Sequence, residues 1–473
     1  MGRVVLTVWV FSTAHLIPAL WWISQSMITK GGTTVYLVPL AIVGLPMMLA
    51  LFPAIAIATL YGISRPKTLT MTAIAVALGW TIGEAARSYL LTGFPWHIIG
   101  YAWVDVPLIR PGVAVIGVLG MGALTVLAAV ALAPFAAPGR WRWLPLLIAC
   151  LGITAAVTAD TFLPGPKLQS SADSSRSTLN VRVVQPNVAQ KDKWQPGSRD
   201  RQIADLIRLT GQSGFTDVDL IVWPETAITF LADQDPRLLD ALDTLLVPGQ
   251  YVIGGTVSVH RDSAGRISGL YNSMVVIDHK GEIINKYHKR HLVPFGEYLP
   301  LRFVFERIGV SAIAWEGDFL VGSGDPMIYL PEIGRIRPLI CYEAIFPQDL
   351  FGLGLRPDII VVGTNDAWYG NTAGPQQHAA MHRMRSVEWG IPLVRAANTG
   401  VSLVADAFGE EIQRLDFEHQ GVLTMKLPVK RDSFPLYTLW GDFLYLLISG
   451  LLLMVFLFVS RYKNCASAQS LHA

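Results

Sequence analysis

The chain has 473 residues, enough for more than one domain, of which 52% are hydrophobic and only 15% charged, against about 25% charged in a soluble domain. That deficit argues for membrane-embedded surface, and a formal net charge of +2 gives no support to a nucleic-acid partner. The three cysteines, Cys150, Cys341 and Cys465, are too few and too scattered for a disulfide framework or a zinc ligand set.

A transmembrane helix needs about 20 mostly apolar residues. Five such stretches precede the polar middle of the chain, at about 4–28, 35–62, 68–91, 112–135 and 142–160, and a sixth follows it at about 438–460. The first is too long for a signal-peptide core and reads as a span. With the N-terminus in the cytoplasm, Arg3, Arg65 with Lys67, Arg140 with Arg142, and Arg461 with Lys463 all fall inside. The outer loops 29–34 and 92–111 carry only Lys30 and Arg110. The basic residues therefore lie on the inner side, and the region from about 165 to 435 is expected outside. Glu84 and Arg87, near the outer end of the third span, read as a structural ion pair.

Segment 164–178, rich in Ser, Pro and Gly, reads as a linker. Beyond it, β-branched runs predict strands at 179–185, 218–223, 250–254, 272–278, 335–340 and 358–362, and amphipathic stretches predict helices at 199–212, 235–246 and 375–389. This alternation predicts an α/β domain and leaves both a doubly wound sheet and a layered sandwich open.

Cys341 ends the apolar strand Arg-Pro-Leu-Ile and precedes Tyr-Glu, a place for an exposed nucleophile or equally for a buried structural thiol. Glu225 closes Ile-Val-Trp-Pro-Glu, where Pro224 stops the ladder and the carboxylate projects from the strand's C-terminal edge. A helix N-terminal acid is the alternative reading. Lys289, in Tyr-His-Lys-Arg-His, is a cation able to stabilise an oxyanion or one member of a solvated basic loop.

Taken together and in this order, these segments resemble the Glu–Lys–Cys signature of the nitrilase (carbon–nitrogen hydrolase) superfamily. The finer resemblance is to the apolipoprotein N-acyltransferase family. It rests on Trp-Pro-Glu-Thr-Ala at 223–227, Lys-Arg-His-Leu-Val-Pro-Phe-Gly-Glu at 289–297, Cys-Tyr-Glu at 341–343 and Thr-Asn-Asp-Ala-Trp-Tyr-Gly at 364–370. Gly-Pro-Gln-Gln-His at 374–378, Arg-Ala-Ala-Asn-Thr-Gly at 395–400 and the membrane loop Leu-Thr-Gly-Phe-Pro-Trp at 91–96 extend it over nearly the whole chain.

The resemblance implies a multi-pass α-helical membrane domain joined to an extracytoplasmic α/β nitrilase-type (αββα sandwich) domain. The expected divisions are a membrane domain at 1–163, a linker at 164–178, a catalytic domain at 179–435, and a last span with a short cytoplasmic tail at 436–473. It also implies a multi-pass protein of the bacterial inner membrane, with its catalytic domain on the periplasmic side and both termini cytoplasmic. The implied reaction moves an acyl chain from a phospholipid to the α-amino group of a diacylglyceryl-modified lipoprotein cysteine, with no cofactor, metal or nucleic acid. Glu225 would be the general base and Cys341 the nucleophile that carries the acyl group as a thioester. Lys289, with a backbone N–H near Cys341, would stabilise the oxyanion. Glu297 would orient the lysine, Glu343 and Tyr342 would support the nucleophile, and Trp194 would guard substrate access. Members of this family usually carry two further N-terminal spans, so the first stretch here resembles their third.

Other features read more plainly. Leu147-Ile148-Ala149-Cys150 resembles a lipobox but reads as transmembrane filler, and Cys465 is expected to have no function. His288, His291, His378 and His382 are not expected to form a metal site, since the last two, four apart, simply line one helix face. Phe303, Val304, Phe305 and Ile308 read as a lipid-dipping loop or as a small amphipathic helix packed on the domain. A hydrolase that releases the acyl group to water, a family paralogue with another acceptor (one tied to conjugal transfer, for example), and a silent membrane scaffold are the competing functions. The intact triad weighs against the scaffold, and the spans weigh against the hydrolase.

Overall fold

A computed structural model describes residues 2–132, 143–162, 178–195, 197–305, 307, 318–350, 356–428 and 434–469. The apolar stretches fold as helices because lipid leaves backbone N–H and C=O groups no partner but each other. Helix α1 (Gly2–Leu20) is followed by α2 (Ile23–Lys30), a helical run α3 (Thr34–Ser64), α4 (Leu69–Tyr89), α5 (Val113–Val130) and α6 (Leu144–Phe162). Among the described residues four helices are long and apolar enough to cross a membrane: α1, α3, α4 and the run Arg110–Val130 that contains α5. The expected first span, 4–28, is divided between α1 and α2. Pro18 cannot donate an intrahelical bond, and Trp22 turns aside to give its indole N–H to Gln377 Oε1, 3.1 Å away. Glu84 and Arg87 do pair, at 3.9 Å, and Arg87 also donates to the carbonyl of Trp96 at 2.7 Å.

Helix α5 breaks at Gly117, whose φ of 67° belongs to the left-handed region. A Cβ there would stand 2.3 Å from the ring of Tyr437, so only glycine fits. Next to the break, Val118 N donates at 3.1 Å to the carboxylate of Glu388, a residue of the α/β unit that follows.

The α/β unit holds helices α7 (Ser198–Thr210), α8 (Pro236–Leu245) and α9 (Gly374–Trp389), and α10 (Asp442–Gln469) follows it. Its strands are β1 (Thr178–Gln185), β2 (Leu220–Val222), β3 (Tyr251–Arg261), β4 (Ile267–Asp278), β5 (Ile283–His288) and β6 (Ile328–Leu330), then β7 (Gly334–Ile340), β8 (Ile359–Thr364), β9 (Leu393–Ala397), β10 (Ser402–Ala405), β11 (Glu411–Leu415) and β12 (Gly421–Pro428). They form two six-stranded sheets, in the orders β12-β1-β2-β3-β4-β5 and β11-β10-β9-β8-β7-β6. Val183, Val222, Met274, Ile340, Val361 and Ala396 meet between the sheets in one dry core. Helices α7 and α8 cover the first sheet through Leu206, Leu238 and Leu242, and α9 covers the second through Ala379 and Trp389. The unit is thus an αββα sandwich rather than a doubly wound sheet.

Each sequence-predicted strand and helix of this unit has a counterpart. Strands β5 and β6 and the run from β9 to β12 were not anticipated. Lys286 breaks the pattern in β5, and β11 carries Glu411, Gln413 and Arg414, so edge strands lack the apolar alternation that announces a core strand. The expected linker, Thr178 apart, lies outside the described residues. Helix α9 has a second buried face, Met381, Met384 and Val387, packed on Trp96, Tyr101 and Leu119 of the membrane unit.

Candidate active site

The sheets deliver the three triad candidates to one edge of the sandwich. Strand β2 ends before Trp223-Pro224-Glu225, β5 ends at His288 just before Lys289, and β7 ends at Ile340 just before Cys341. All three side chains are buried. Lys289 Nζ lies 3.8 Å from Glu225 Oε1 and 2.9 Å from Glu297, so the ammonium is shared by two carboxylates. A buried cation is tolerated only with such partners. Burial alone would lower the pKa of Lys289, but Glu297 and Glu225 overcome it and push the ammonium well above the usual lysine value. It therefore stays charged.

Glu225 is held on both oxygens. Oε1 accepts from Asn272 Nδ2 at 2.7 Å and Oε2 from the backbone N–H of Asn365 at 2.9 Å. The same Asn272 amide also donates to Glu297 at 2.7 Å, and Glu297 accepts Val293 N at 2.8 Å. Behind Glu225, Lys193 donates to its carbonyl at 3.2 Å and to the Thr226 hydroxyl at 2.7 Å. Burial pushes the Lys193 ammonium down to about 8, against the pull of Glu225. The Glu225 backbone also needs Gly255 next to it: a Cβ there would sit 2.4 Å from Thr226 N and 2.6 Å from Glu225 Cα. Gly255→Ala should therefore cost about 1–3 kcal/mol by overpacking, read as a lower melting temperature in detergent. An unchanged melting temperature would mean that the loop relaxes freely.

Cys341 opens a 3-10 turn, Cys341–Ile345, with a φ of 53°. A non-glycine residue there carries roughly 1–3 kcal/mol of strain, and the turn lifts the thiol off the strand end. Burial, then the Glu225 carboxylate, push the thiol up to about 12, while Lys289 pulls it down. At neutral pH the resting sulfur is protonated. The hydroxyl of Tyr369 lies 4.0 Å from Sγ.

The supporting candidates divide by place. Glu343 binds Ile340 N at 2.7 Å with one oxygen, and Tyr287 Oη at 2.8 Å and Arg290 N at 2.7 Å with the other. It thereby fixes the Lys289 loop against the Cys341 turn. Burial pushes its carboxyl up, opposed by Arg337 and by the Arg290 N–H. Tyr342 points the other way, donating at 3.1 Å to the carbonyl of Gly93 in the membrane loop. Trp194 stands apart and is 54% exposed, although its neighbour Lys193 reaches the Glu225 carbonyl.

His378 and His382 lie on one face of α9, their ring centroids 4.1 Å apart. His378 Nδ1 is 2.9 Å from Asp366, and His382 Nδ1 accepts from Arg395 at 3.0 Å. His288 bonds Ser273 at 2.7 Å, and His291 lies 3.2 Å from the carbonyl of Thr92. Among the described residues no three His, Cys, Asp or Glu side chains are grouped to hold a metal. Phe303 is exposed, whereas Ile308 and the side chains of Val304 and Phe305 lie outside what is described.

Asn272, Asn365, Asp366, Tyr369 and Arg395 were given no role from the sequence. Four of them sit in motifs that carried the resemblance, 364–370 and 395–400, so a signal was present. Asn272 sits at the start of a predicted strand, and nothing local marks it.

Comparison with known proteins places the chain in a family. Residues 180–431 match the family described as carbon–nitrogen hydrolase, and residues 1–131 match the apolipoprotein N-acyltransferase N-terminal domain. A protein of Rhodopseudomonas palustris named apolipoprotein N-acyltransferase is 37% identical over 437 residues, which cover 89% of this chain and 79% of that protein. One of Brucella melitensis with the same name is 37% identical over 447 residues, 92% of this chain and 80% of its own. A solved carbon–nitrogen hydrolase of Helicobacter pylori aligns with a TM-score of 0.41 at 16% identity, over 57% of this chain and 94% of that one.

Proposed function

Because the chain belongs to the apolipoprotein N-acyltransferase family, we propose that it transfers an acyl chain from a phospholipid to the α-amino group of a diacylglyceryl-modified cysteine at a lipoprotein N-terminus. The observation that carries this reading is the convergence of Glu225, Lys289 and Cys341 in one buried site whose nucleophile turn, through Tyr342, is bonded to a membrane loop.

In the first half-reaction Glu225 accepts the Cys341 proton as sulfur attacks the ester carbonyl. Lys289 stabilises the tetrahedral oxyanion. Collapse breaks the C–O bond, Glu225 returns the proton to the departing lysophospholipid oxygen, and the acyl group stays on sulfur. In the second half-reaction the amine attacks the thioester and Glu225 takes its proton. The C–S bond then breaks, and the proton passes to the thiolate. A thioester suits this sequence, since it reacts readily with amines and the amide formed is stable. Glu297 and Asn272 hold the lysine and the base in place, Glu343 holds the loop, and Trp194, half exposed, is assigned to guarding substrate access.

In this reading residues 1–163 and 436–473 anchor the protein in the bacterial inner membrane with both termini cytoplasmic. Residues 179–435 then form the catalytic part on the periplasmic side, within reach of two lipid-anchored substrates. The distribution of Arg and Lys among the short loops supports that orientation.

The test is intact-mass measurement of the detergent-purified protein after incubation with phosphatidylethanolamine. An acyl-sized gain removed by hydroxylamine, and absent from Cys341→Ala, is expected. A diacylglyceryl peptide should then discharge it to an N-acyl product. Discharge to free fatty acid alone would favour a hydrolase, and no adduct on the folded protein would remove the mechanism.

A further inference from the structure

We propose that Tyr369 is a further catalytic residue, its hydroxyl donating a hydrogen bond to the Cys341 sulfur as that sulfur becomes a thiolate. The inference rests on the thioester reading above and adds a group that the triad does not contain.

The argument starts from the surroundings of the sulfur. Sγ is buried, and a thiolate in a buried site needs donors. Lys289, the nearby cation, is already engaged at 2.9 Å by Glu297 and faces Glu225 at 3.8 Å, so its field at the sulfur is shared. Glu225 itself opposes a negative sulfur. A neutral donor adds stabilisation without competing for a carboxylate. The Tyr369 hydroxyl, 4.0 Å from Sγ, is placed to be one, and a modest closing movement in the substrate complex would bring it to full hydrogen-bond distance. Burial, reinforced by Cys341 and Asp366, pushes the phenol well above its ordinary value, so the group remains a donor throughout.

Its placement is specific. Tyr369 ends the 3-10 turn Asp366–Tyr369, and Gly370 follows with a φ of 60°. The ring lies 4.5 Å from that of Trp22, 5.9 Å from Trp96 and 5.6 Å from His378, centroid to centroid. Trp22 and Trp96 are themselves fixed, both donating to Gln377 Oε1, at 3.1 and 2.7 Å. Two tryptophans of the membrane unit thus aim a tyrosine of the α/β unit at the nucleophile.

Tyr369→Phe keeps the ring against its neighbours and removes only the hydroxyl. In the full-length protein in detergent, the pH–rate profile of Cys341 carbamidomethylation by iodoacetamide should move up by about one pH unit or more. Alkylation at pH 8 and acyl-adduct formation from phosphatidylethanolamine should each slow about ten-fold, with thermal unfolding unchanged. A profile that superimposes on that of the unaltered protein, with adduct forming at the same rate, overturns the proposal. Failure of the unaltered protein to gain an acyl adduct would count against the thioester reading instead. The alkylation profile needs no lipid and still decides the hydrogen bond.

Discussion

Glu225→Gln is expected to slow acyl-adduct formation by about 10²–10⁴-fold, the contribution of a positioned general base. The sulfur begins protonated, its thiol held up at about 12, so attack on an ester requires a proton acceptor and departure of the alcohol requires a donor. Glutamine keeps the shape and can still accept from Asn365 N, but it can neither take nor return a proton. Lys289 retains Glu297 as a partner at 2.9 Å, so the lysine should stay in place. A second readout separates loss of the base from collapse of the site. The Glu225 carboxylate raises the thiol pKa, so its neutral replacement should not slow Cys341 alkylation by a small neutral reagent. Quenched-flow mass measurement of the adduct beside the alkylation rate tests both. An acylation rate within a few-fold of the unaltered protein would dismiss Glu225 as the base.

The largest stability effect is expected at Asp366, far from the protein surface. Asp366 and Arg395 are both fully buried and paired at 2.7 Å. Among the described residues its other partners are neutral: His382 Nδ1 at 3.0 Å, His378 Nδ1 at 3.3 Å and the carbonyl of Val401. Asp366→Asn leaves a buried cation without its counter-charge, which costs about 3–5 kcal/mol. For a unit of this size that is a fall in melting temperature of roughly 6–20 °C. The pH dependence has a definite sign. Burial alone would raise the Asp366 pKa, but Arg395 and His378 hold it well below the usual carboxylate range. Its stabilisation is therefore complete above the ordinary aspartate value of about 3.9 and drains away as the pH falls below that. His378 and His382, kept neutral by burial, add a loss that begins near the ordinary histidine value of about 6.5. Thermal unfolding from pH 5 to pH 2 should show a shallower decline for Asp366→Asn than for the unaltered protein. Parallel curves would remove the carboxylate from the account.

What the sequence disclosed follows from how far each feature depends on its neighbours in the chain. The four long apolar helices and the inner strands β1–β4, β7 and β8 were legible because burial in lipid or between layers imposes apolar runs, as in Ile359–Thr364. Glu225, Lys289 and Cys341 were each ambiguous in isolation and became readable only as a set of motifs. Asn272 was not readable, since its role depends on two carboxylates 47 and 25 residues away. Nor was the division at Trp21–Trp22, which depends on Gln377, a partner 355 residues distant from Trp22. Short strands such as β11 escaped notice because an edge has no apolar alternation to display.

Helix α9 carries a consequence for how such a chain can change. Ala379 and Trp389 answer to the sheet, while Met381, Met384 and Val387 answer to the membrane helices, and the buried pair Arg385–Glu388, 3.0 Å apart, reaches Tyr101 and Val118 across the boundary. A substitution on this helix has two neighbours to satisfy at once. The two halves therefore cannot drift apart independently, and a chimaera that exchanges membrane helices between relatives would have to bring along the α9 surface that fits them.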